Sequence, residues 1–294
     1  MILSDVFKHS EISRASEFRT NDADDPVVVQ FAASNSQDLA DAAVLVAPHC
    51  SAVDLNCGCP QKWAMHEGIG SALMEKPEQV SNMVRTVKEK VKLSGITLAD
   101  GITPPSTSIK IRVHDDIRRT IDYVKLAEAA GVDWITVHGR TSKQRSASVK
   151  VNLDAIKTIK EQASVPIFAN GDIFTREDAD KTVRYTGVDG VMSARGLLEN
   201  PALFAGFKTT PVHALEAYTR LAIGYGTNFF IMHHHLMMMT DKSMTKTEKK
   251  LFNCLPSSAA VVQYLDVNYG IEFSSRPNWP WVRSGNGEFL VGLE

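Results

Sequence analysis

Two kinds of apolar run alternate along this chain. Val27 to Phe31 is a β-branched stretch without polar alternation, the mark of a strand buried on both faces. Val53 to Asn56, Ser108 to Arg112, Trp134 to His138, Val165 to Ala169 and Gly187 to Met192 also read as strands. Between them lie segments with apolar residues at helical spacing: Ser36 to Ala47, Pro77 to Leu93, Asp116 to Ala130, Asn152 to Gln162 and Thr175 to Tyr185. Their ends carry helix punctuation. Ser34 or Ser36 serves as a cap for the first, Pro77 suits a first turn, Gly131 closes the third, and Thr175 with Asp178 opens the last. Lys8 to Asn21 is polar and reads as loop or short helix, and Ser94 to Ser106, with two glycines and two prolines, as a surface loop.

Strict βα alternation implies a parallel sheet, either doubly wound or closed as a barrel. A doubly wound sheet carries a glycine fingerprint after its first strand, and none occurs here. A barrel places polar residues at every strand end and a phosphate site after its last two strands. Asn170-Gly171 and Ala194-Arg195-Gly196 stand there. The expected fold is therefore α/β, a TIM (β/α)8-type barrel. Six units are two short of eight, because strand number, tilt and stagger are linked. The apolar fragment Met1 to Val6 reads as the tail of one more strand, so the barrel is expected to lack its first one to two βα units. Past Gly196 the pattern becomes helical throughout. The expected division is 1–205 barrel, 206–273 helical domain and 274–294 irregular tail, the last rich in proline and tryptophan without periodicity.

Composition changes this picture little. A formal charge of −2 gives no global nucleic-acid signature, so RNA binding must rest on a local patch. Such a patch is present. From Ala205 to Lys250 six basic residues (Lys208, Arg220, Lys242, Lys246, Lys249, Lys250) face three acids (Glu216, Asp241, Glu248). Four cysteines in no disulfide framework suit a reducing compartment, hence the cytoplasm, with the nucleus as alternative. No apolar run reaches membrane-spanning length, so no membrane partner is expected; the sequence points to no protein partner, and a monomer is one reading of it.

The candidate chemistry sits at the strand ends, where Gln30, Asn56, Cys59, Lys110, Arg112, His138, Arg140, Asn170, Gly171, Arg195 and Gly196 share one rim of a barrel. Each alone has a plain explanation as a satisfied structural polar group; the set exceeds what packing needs. Glycine amides with an arginine after the last strands make a phosphate cradle. Lys110 and His138 suit the electron-rich ring of a flavin, with Gln30 and Asn56 supplying amide hydrogen bonds. Asn56-Cys57-Gly58-Cys59-Pro60 has no second cysteine pair for a metal and lacks redox spacing. A thiol acting as acid at Cys59, on a loop hinged by Gly68 and Gly70, is favoured over an inert buried cysteine, the reading kept for Cys57. No metal partners are identified for His233-His234-His235.

The motifs Asn56-Cys57-Gly58-Cys59-Pro60, Ser108-Ile109-Lys110-Ile111-Arg112, His138-Gly139-Arg140-Thr141, Asn170-Gly171-Asp172-Ile173 and Ala194-Arg195-Gly196, in that order, resemble the tRNA-dihydrouridine synthases. The wording around Cys59 and Trp63 is most similar to the eukaryotic branch that modifies D-loop positions 20a and 20b. That resemblance, which covers about Val27 to Phe273, implies an FMN-bearing barrel, a tRNA-gripping helical domain and NADPH or NADH as reductant. It implies hydride transfer from reduced FMN to C6 of a flipped uracil and a proton from Cys59 to C5. It further implies FMN contacts for Gln30, Asn56, Lys110, His138, Asn170, Gly171, Asp172, Ala194, Arg195 and Gly196. Arg140 is expected at the uridine or RNA backbone, and Lys246, Lys249 and Lys250 at phosphates. The family's first-strand Ala-Pro-Met segment has no counterpart here, which leaves as alternative a truncated, inactive form that at most binds RNA.

Overall fold

The computed structural model describes residues 1–21, 23–144, 148–273, 281–283 and 289–291. It divides into two compact units, Met1–Ala194 and Arg195–Glu294, so the boundary falls at the end of the last strand of the sheet.

The first unit is built on seven parallel strands: β1 (Ile2–Leu3), β2 (Val28–Ala32), β3 (Ala52–Cys57), β4 (Ser106–Arg112), β5 (Trp134–His138), β6 (Ile167–Asn170) and β7 (Gly190–Met192). Their spatial order is their chain order, with no reversal of direction of winding. A doubly wound sheet has a switch point where the order reverses; a barrel does not. The fold is α/β and barrel-like. Of the apolar fragment Met1 to Val6, Ile2 and Leu3 form a strand, pairing with Phe31 and Ala32, whereas Ser4 to Val6 open α1.

Helices α1 (Ser4–His9), α2 (Glu11–Glu17), α3 (Ser36–Val46), α4 (Lys62–His66), α5 (Pro77–Leu93), α6 (Ile117–Ala129), α7 (Leu153–Gln162) and α8 (Arg176–Thr186) fill the connections. The cap of α3 is Asn35 rather than a serine, its Oδ1 accepting from the amides of Gln37 and Asp38. Thr175 and Asp178 form the reciprocal capping box expected of α8. Gly187, read as strand, instead closes α8 in the left-handed conformation (φ 71°), so β7 starts only at Gly190.

The alternation hidden in each strand decides where the site lies. Val29, Phe31, Val53, Leu55, Ile109, Ile111, Ile135, Val137, Ile167 and Ala169 are buried in the core under the helices. The intervening positions point the other way, and the register aligns them in rows. Gln30 stands beside Asp54, and Asp54 beside Ser108. Asn56 stands beside Lys110, and Lys110 beside Thr136. Arg112 stands beside His138, and His138 beside Asn170. One sheet face thus carries polar side chains on every strand from β2 to β6, with Trp134 and Phe168 as its aromatic members.

The second unit holds α9 (Arg195–Glu199), α10 (Val212–Gly224), α11 (Phe229–Thr240), α12 (Lys246–Asn253) and α13 (Ser258–Tyr269). Its core gathers Leu215, Met232, Leu236, Phe252, Val261 and Leu265. His233 belongs to that core. Its Nε2–H donates to the Phe252 carbonyl at 2.8 Å, and its ring stacks on Phe229. The proline- and tryptophan-rich tail expected to be irregular lies largely outside the described residues. Within it β8 (Trp281–Arg283) and β9 (Phe289–Val291) pair antiparallel.

Candidate active site

Strand β3 ends by turning its chain over a single side chain. Asn56 Oδ1 accepts from the amides of Gly58 (3.0 Å) and Cys59 (2.9 Å), the local turn that asparagine makes readily. The Cys59 carbonyl in turn accepts from the Ser71 amide at 2.8 Å. Gly70 (φ 62°) lies so close that a Cβ there would come within 2.7 Å of the Cys59 oxygen and 2.9 Å of its Cβ. Ala32, Ala64 and Ile69 pack beside the Cys59 side chain, which stays partly exposed. The loop expected to be hinged is therefore pinned on both sides of its cysteine. Cys57 points into the core, fully buried, and burial holds its thiol protonated up to about 12. It suits the inert role.

Behind Asn56 runs a chain of hydrogen bonds. Asn56 Nδ2 donates to Gln30 Oε1 (2.8 Å), and Gln30 Nε2 donates to Asp54 Oδ2 (2.8 Å). Ser108 Oγ donates to Asp54 Oδ1 (2.6 Å). Gln30 and Asn56, expected on a ligand, thus share one hydrogen bond and engage Asp54 and the two loop amides with others. Asp54 escaped the sequence reading altogether. The signal was a lone acid inside the apolar run Ala52 to Leu55, on the same strand face as Asn56. Burial pushes its carboxyl up, against the opposing pull of Ser108, Gln30 and the charge of Lys110. Lys110 itself is lowered to about 8, chiefly by burial and further by Arg112, while Asp54 and Cys59 act to raise it.

The third row joins the loops. Arg112 is 8% exposed; its Nε donates to the Gly58 carbonyl (2.7 Å) and its Nη1 to the Thr141 carbonyl (2.9 Å). It ties the cysteine loop to the loop after β5. His138 is pushed down to about 3, by burial first and then by Arg112, Lys110 and Arg140. Arginine can only donate, so the 3.3 Å contact between Arg140 Nη1 and His138 Nε2 leaves the imidazole proton on Nδ1. His138 is a neutral donor at neutral pH. Gly171 (φ 119°) lets the chain pass the ring, since a Cβ there would stand 3.0 Å from it. Asn170 Nδ2 donates to the Met192 carbonyl at 2.9 Å.

Arg140 is where structure and expectation part. Its side chain is buried, 3% exposed for the residue, with Nε on the Val149 carbonyl and Nη2 on both carboxylate oxygens of Asp172 (2.6 Å each). Asp172, expected on the cofactor, holds that guanidinium and also accepts from the Val151 amide (3.0 Å). A two-residue step past the end of β5 carries Arg140 inward, which strand-end position alone does not reveal. Ala194 is exposed at the end of the first unit; Arg195 and the buried Gly196 open α9 of the second. On α12, Lys246 and Lys250 are exposed, whereas Lys249 pairs with Asp241 at 2.7 Å. No group of three or more metal-ligating side chains occurs among the described residues.

These elements define a class: an α/β barrel-like enzyme with a thiol, a buried lysine and a neutral histidine over the carboxyl ends of its strands. The dihydrouridine synthase (Dus) family pattern matches residues 1–268. A human protein named tRNA-dihydrouridine(20a/20b) synthase (NAD(P)+)-like is 47% identical over 92% of this chain and 82% of its own length. The Schizosaccharomyces pombe tRNA-dihydrouridine(20a/20b) synthase (NAD(P)+) is 40% identical, over 95% and 81% respectively. The Saccharomyces cerevisiae protein of that name is 40% identical over all of this chain and 76% of its own. A solved DHODH structure from Eimeria tenella is 14% identical, with a TM-score of 0.49 over 74% of this chain and 62% of that one. The chain belongs to the dihydrouridine synthase family.

Proposed function

We propose that this protein reduces uridine to 5,6-dihydrouridine in the D loop of tRNA, with Cys59 giving the proton that uracil C5 receives. One observation carries the reading: a partly exposed thiol pinned at the end of β3, on the rim of the polar face that also holds Lys110 and His138. Relatives 47% and 40% identical to this chain are named tRNA-dihydrouridine(20a/20b) synthases, which supports the reading.

The polar face has the chemistry of a flavin site. Lys110 offers a cation, His138 a neutral Nδ1–H donor, and Gln30 and Asn56 the second hydrogen of each amide nitrogen, the first going to Asp54 and Gln30 respectively. When bound, FMN supplies the hydride that C6 accepts, and NADPH or NADH restores it. Cys59 then loses its proton to C5, and the thiolate left behind lies within Coulombic reach of Lys110 before solvent reprotonates it. Asn56 and Gly70 hold the Cys59 backbone so that the thiol is aimed before the base arrives. The base must leave its stack to meet the thiol, and Lys246 and Lys250 are free to take tRNA phosphates.

The test uses the purified chain, scanned for flavin absorbance and incubated with NADPH or NADH and tRNA lacking dihydrouridine. Dihydrouridine found by nucleoside mass spectrometry is expected; a colourless protein that leaves every uridine intact refutes the reading.

A further inference from the structure

A side-chain amide can turn over and exchange its oxygen for its nitrogen at little cost, unless its neighbours forbid it. Asn56 must present oxygen to the two loop amides of Gly58 and Cys59, because they only donate. Its nitrogen therefore faces Gln30, which must answer with Oε1, so that Gln30 Nε2 faces the opposite way. There it meets Asp54, whose carboxylate takes hydrogen bonds on both oxygens, from Gln30 and from Ser108. Every link from the carboxylate to the cysteine amide then matches a donor to an acceptor, in one direction only.

We infer that Asp54 is a positioning residue: its carboxylate sets the direction of the Gln30–Asn56 relay and through it the placement of Cys59. For turnover this rests on the reading of Cys59 as proton donor; for the thiol's placement it does not. Asp54 is buried, with Gln30 and Ser108 on its carboxylate. It acts at the far end of the chain, where an acceptor is required.

Direction makes a prediction that simple packing does not. Asn56→Asp keeps an acceptor for the loop amides but turns a second oxygen on Gln30. While both carboxyls are ionised, whichever way Gln30 then turns it sets oxygen against oxygen, at Asp54 or at position 56, and only uptake of a proton relieves the mismatch. Asp54→Asn alone leaves the present direction usable, with its new nitrogen toward Ser108, whose hydroxyl also accepts. Combining the two moves the carboxylate to the loop end and reverses Gln30, and every link is matched again. The negative charge stays beside Lys110, since positions 56 and 110 are register partners.

The experiment measures iodoacetamide alkylation of Cys59 by peptide mass spectrometry, with the thermal midpoint of each variant. A buried mismatched polar group costs enough to open the loop about 10- to 100-fold more often. Asn56→Asp is expected to speed alkylation by that factor and lower the midpoint. Asp54→Asn alone is expected to change alkylation about threefold, and the double variant to return within about fivefold of the unsubstituted protein. Should Asn56→Asp fail to fold, a cooperative melt regained in the double supports the relay. A double variant that is as reactive as Asn56→Asp, or melts as low, or is equally unfolded, overturns it. Dihydrouridine formation by Cys59→Ala is measured beside these. Activity surviving there, with the double variant still restored, refutes Cys59 as proton donor and leaves the relay standing.

Discussion

Replacing Gly70 by alanine tests how closely the cysteine loop is held. Two effects separate. At φ 62° any side chain meets left-handed strain of about 1–2 kcal/mol. The new Cβ also falls 2.7 Å from the Cys59 carbonyl oxygen. Ordinary contact begins near 3.4 Å, so backbone must yield by about 3.4 − 2.7 = 0.7 Å, and Cys59 is what it presses on. Overpacking of this kind adds about 1–3 kcal/mol, for a total of about 2–5 kcal/mol. Gly68 is the internal control. It has φ 72°, but the nearest atom to its Cβ is the flexible Lys76 Nζ at 3.8 Å. Gly68→Ala should therefore cost only the strain, about 1–2 kcal/mol. Urea unfolding measures the difference in stability, and dihydrouridine formed per minute measures the difference in aim. A displacement near an ångström costs up to about 10²-fold in rate, so Gly70→Ala should lose at least ~10-fold more activity than Gly68→Ala. Equal stability and equal activity in the two variants would refute the claim that Gly70 positions Cys59.

Three further outcomes follow from the site. His138 has a folded pKa of about 3 against 6.5 unfolded, so between those values the unfolded chain binds the extra proton. Stability therefore rises with pH across that window and is lost on acidification from about 6.5 towards 3. His138→Gln should flatten the slope in melts between pH 6.5 and 4.5, removing up to about 3 kcal/mol of dependence. Asp172→Ala strands the buried Arg140 guanidinium and should destabilise by about 2–4 kcal/mol in urea melts, with Asp172→Glu restoring part of it. On α12, Lys246→Ala and Lys250→Ala should each weaken tRNA binding and reduce the salt dependence by about one phosphate contact. Lys249→Ala, whose ammonium is held by Asp241, should do so less.

The strands were legible because each carries apolar residues on the face beneath the helices and ends in polar ones, a pattern local to a few residues. The helix over Pro77–Leu93 and the Thr175–Asp178 box were legible for the same reason, since caps and periodicity are written in adjacent positions. What escaped depended on distant partners. Of Met1 to Val6, read as a strand tail, only Ile2 and Leu3 are strand, because only they lie beside Phe31 and Ala32, and Ser4 already opens α1. Asp54 looks like an interruption in an apolar run until Gln30, 24 positions before it, and Ser108, 54 after it, close around its carboxylate. Arg140 reads from its place after a strand as a rim residue, and its pairing with Asp172, 32 residues on, is not written in its neighbours. The thiol's neighbours on the page of the sequence could not distinguish a hinged loop from a pinned one. That required the approach of Gly70 and Ser71 to the Cys59 carbonyl.

The most direct measurement compares two single cysteine variants in the conversion of uridine in tRNA. Cys57 is buried in the core and Cys59 stands two residues on at the rim, so the two separate packing from chemistry. With NADPH and dihydrouridine-free tRNA, Cys59→Ala should lose about 10²–10⁴-fold in dihydrouridine formation, the range for removing a proton donor. Cys57→Ala should stay within a few-fold of the unsubstituted protein. Full activity in Cys59→Ala, or the larger loss in Cys57→Ala, contradicts the account.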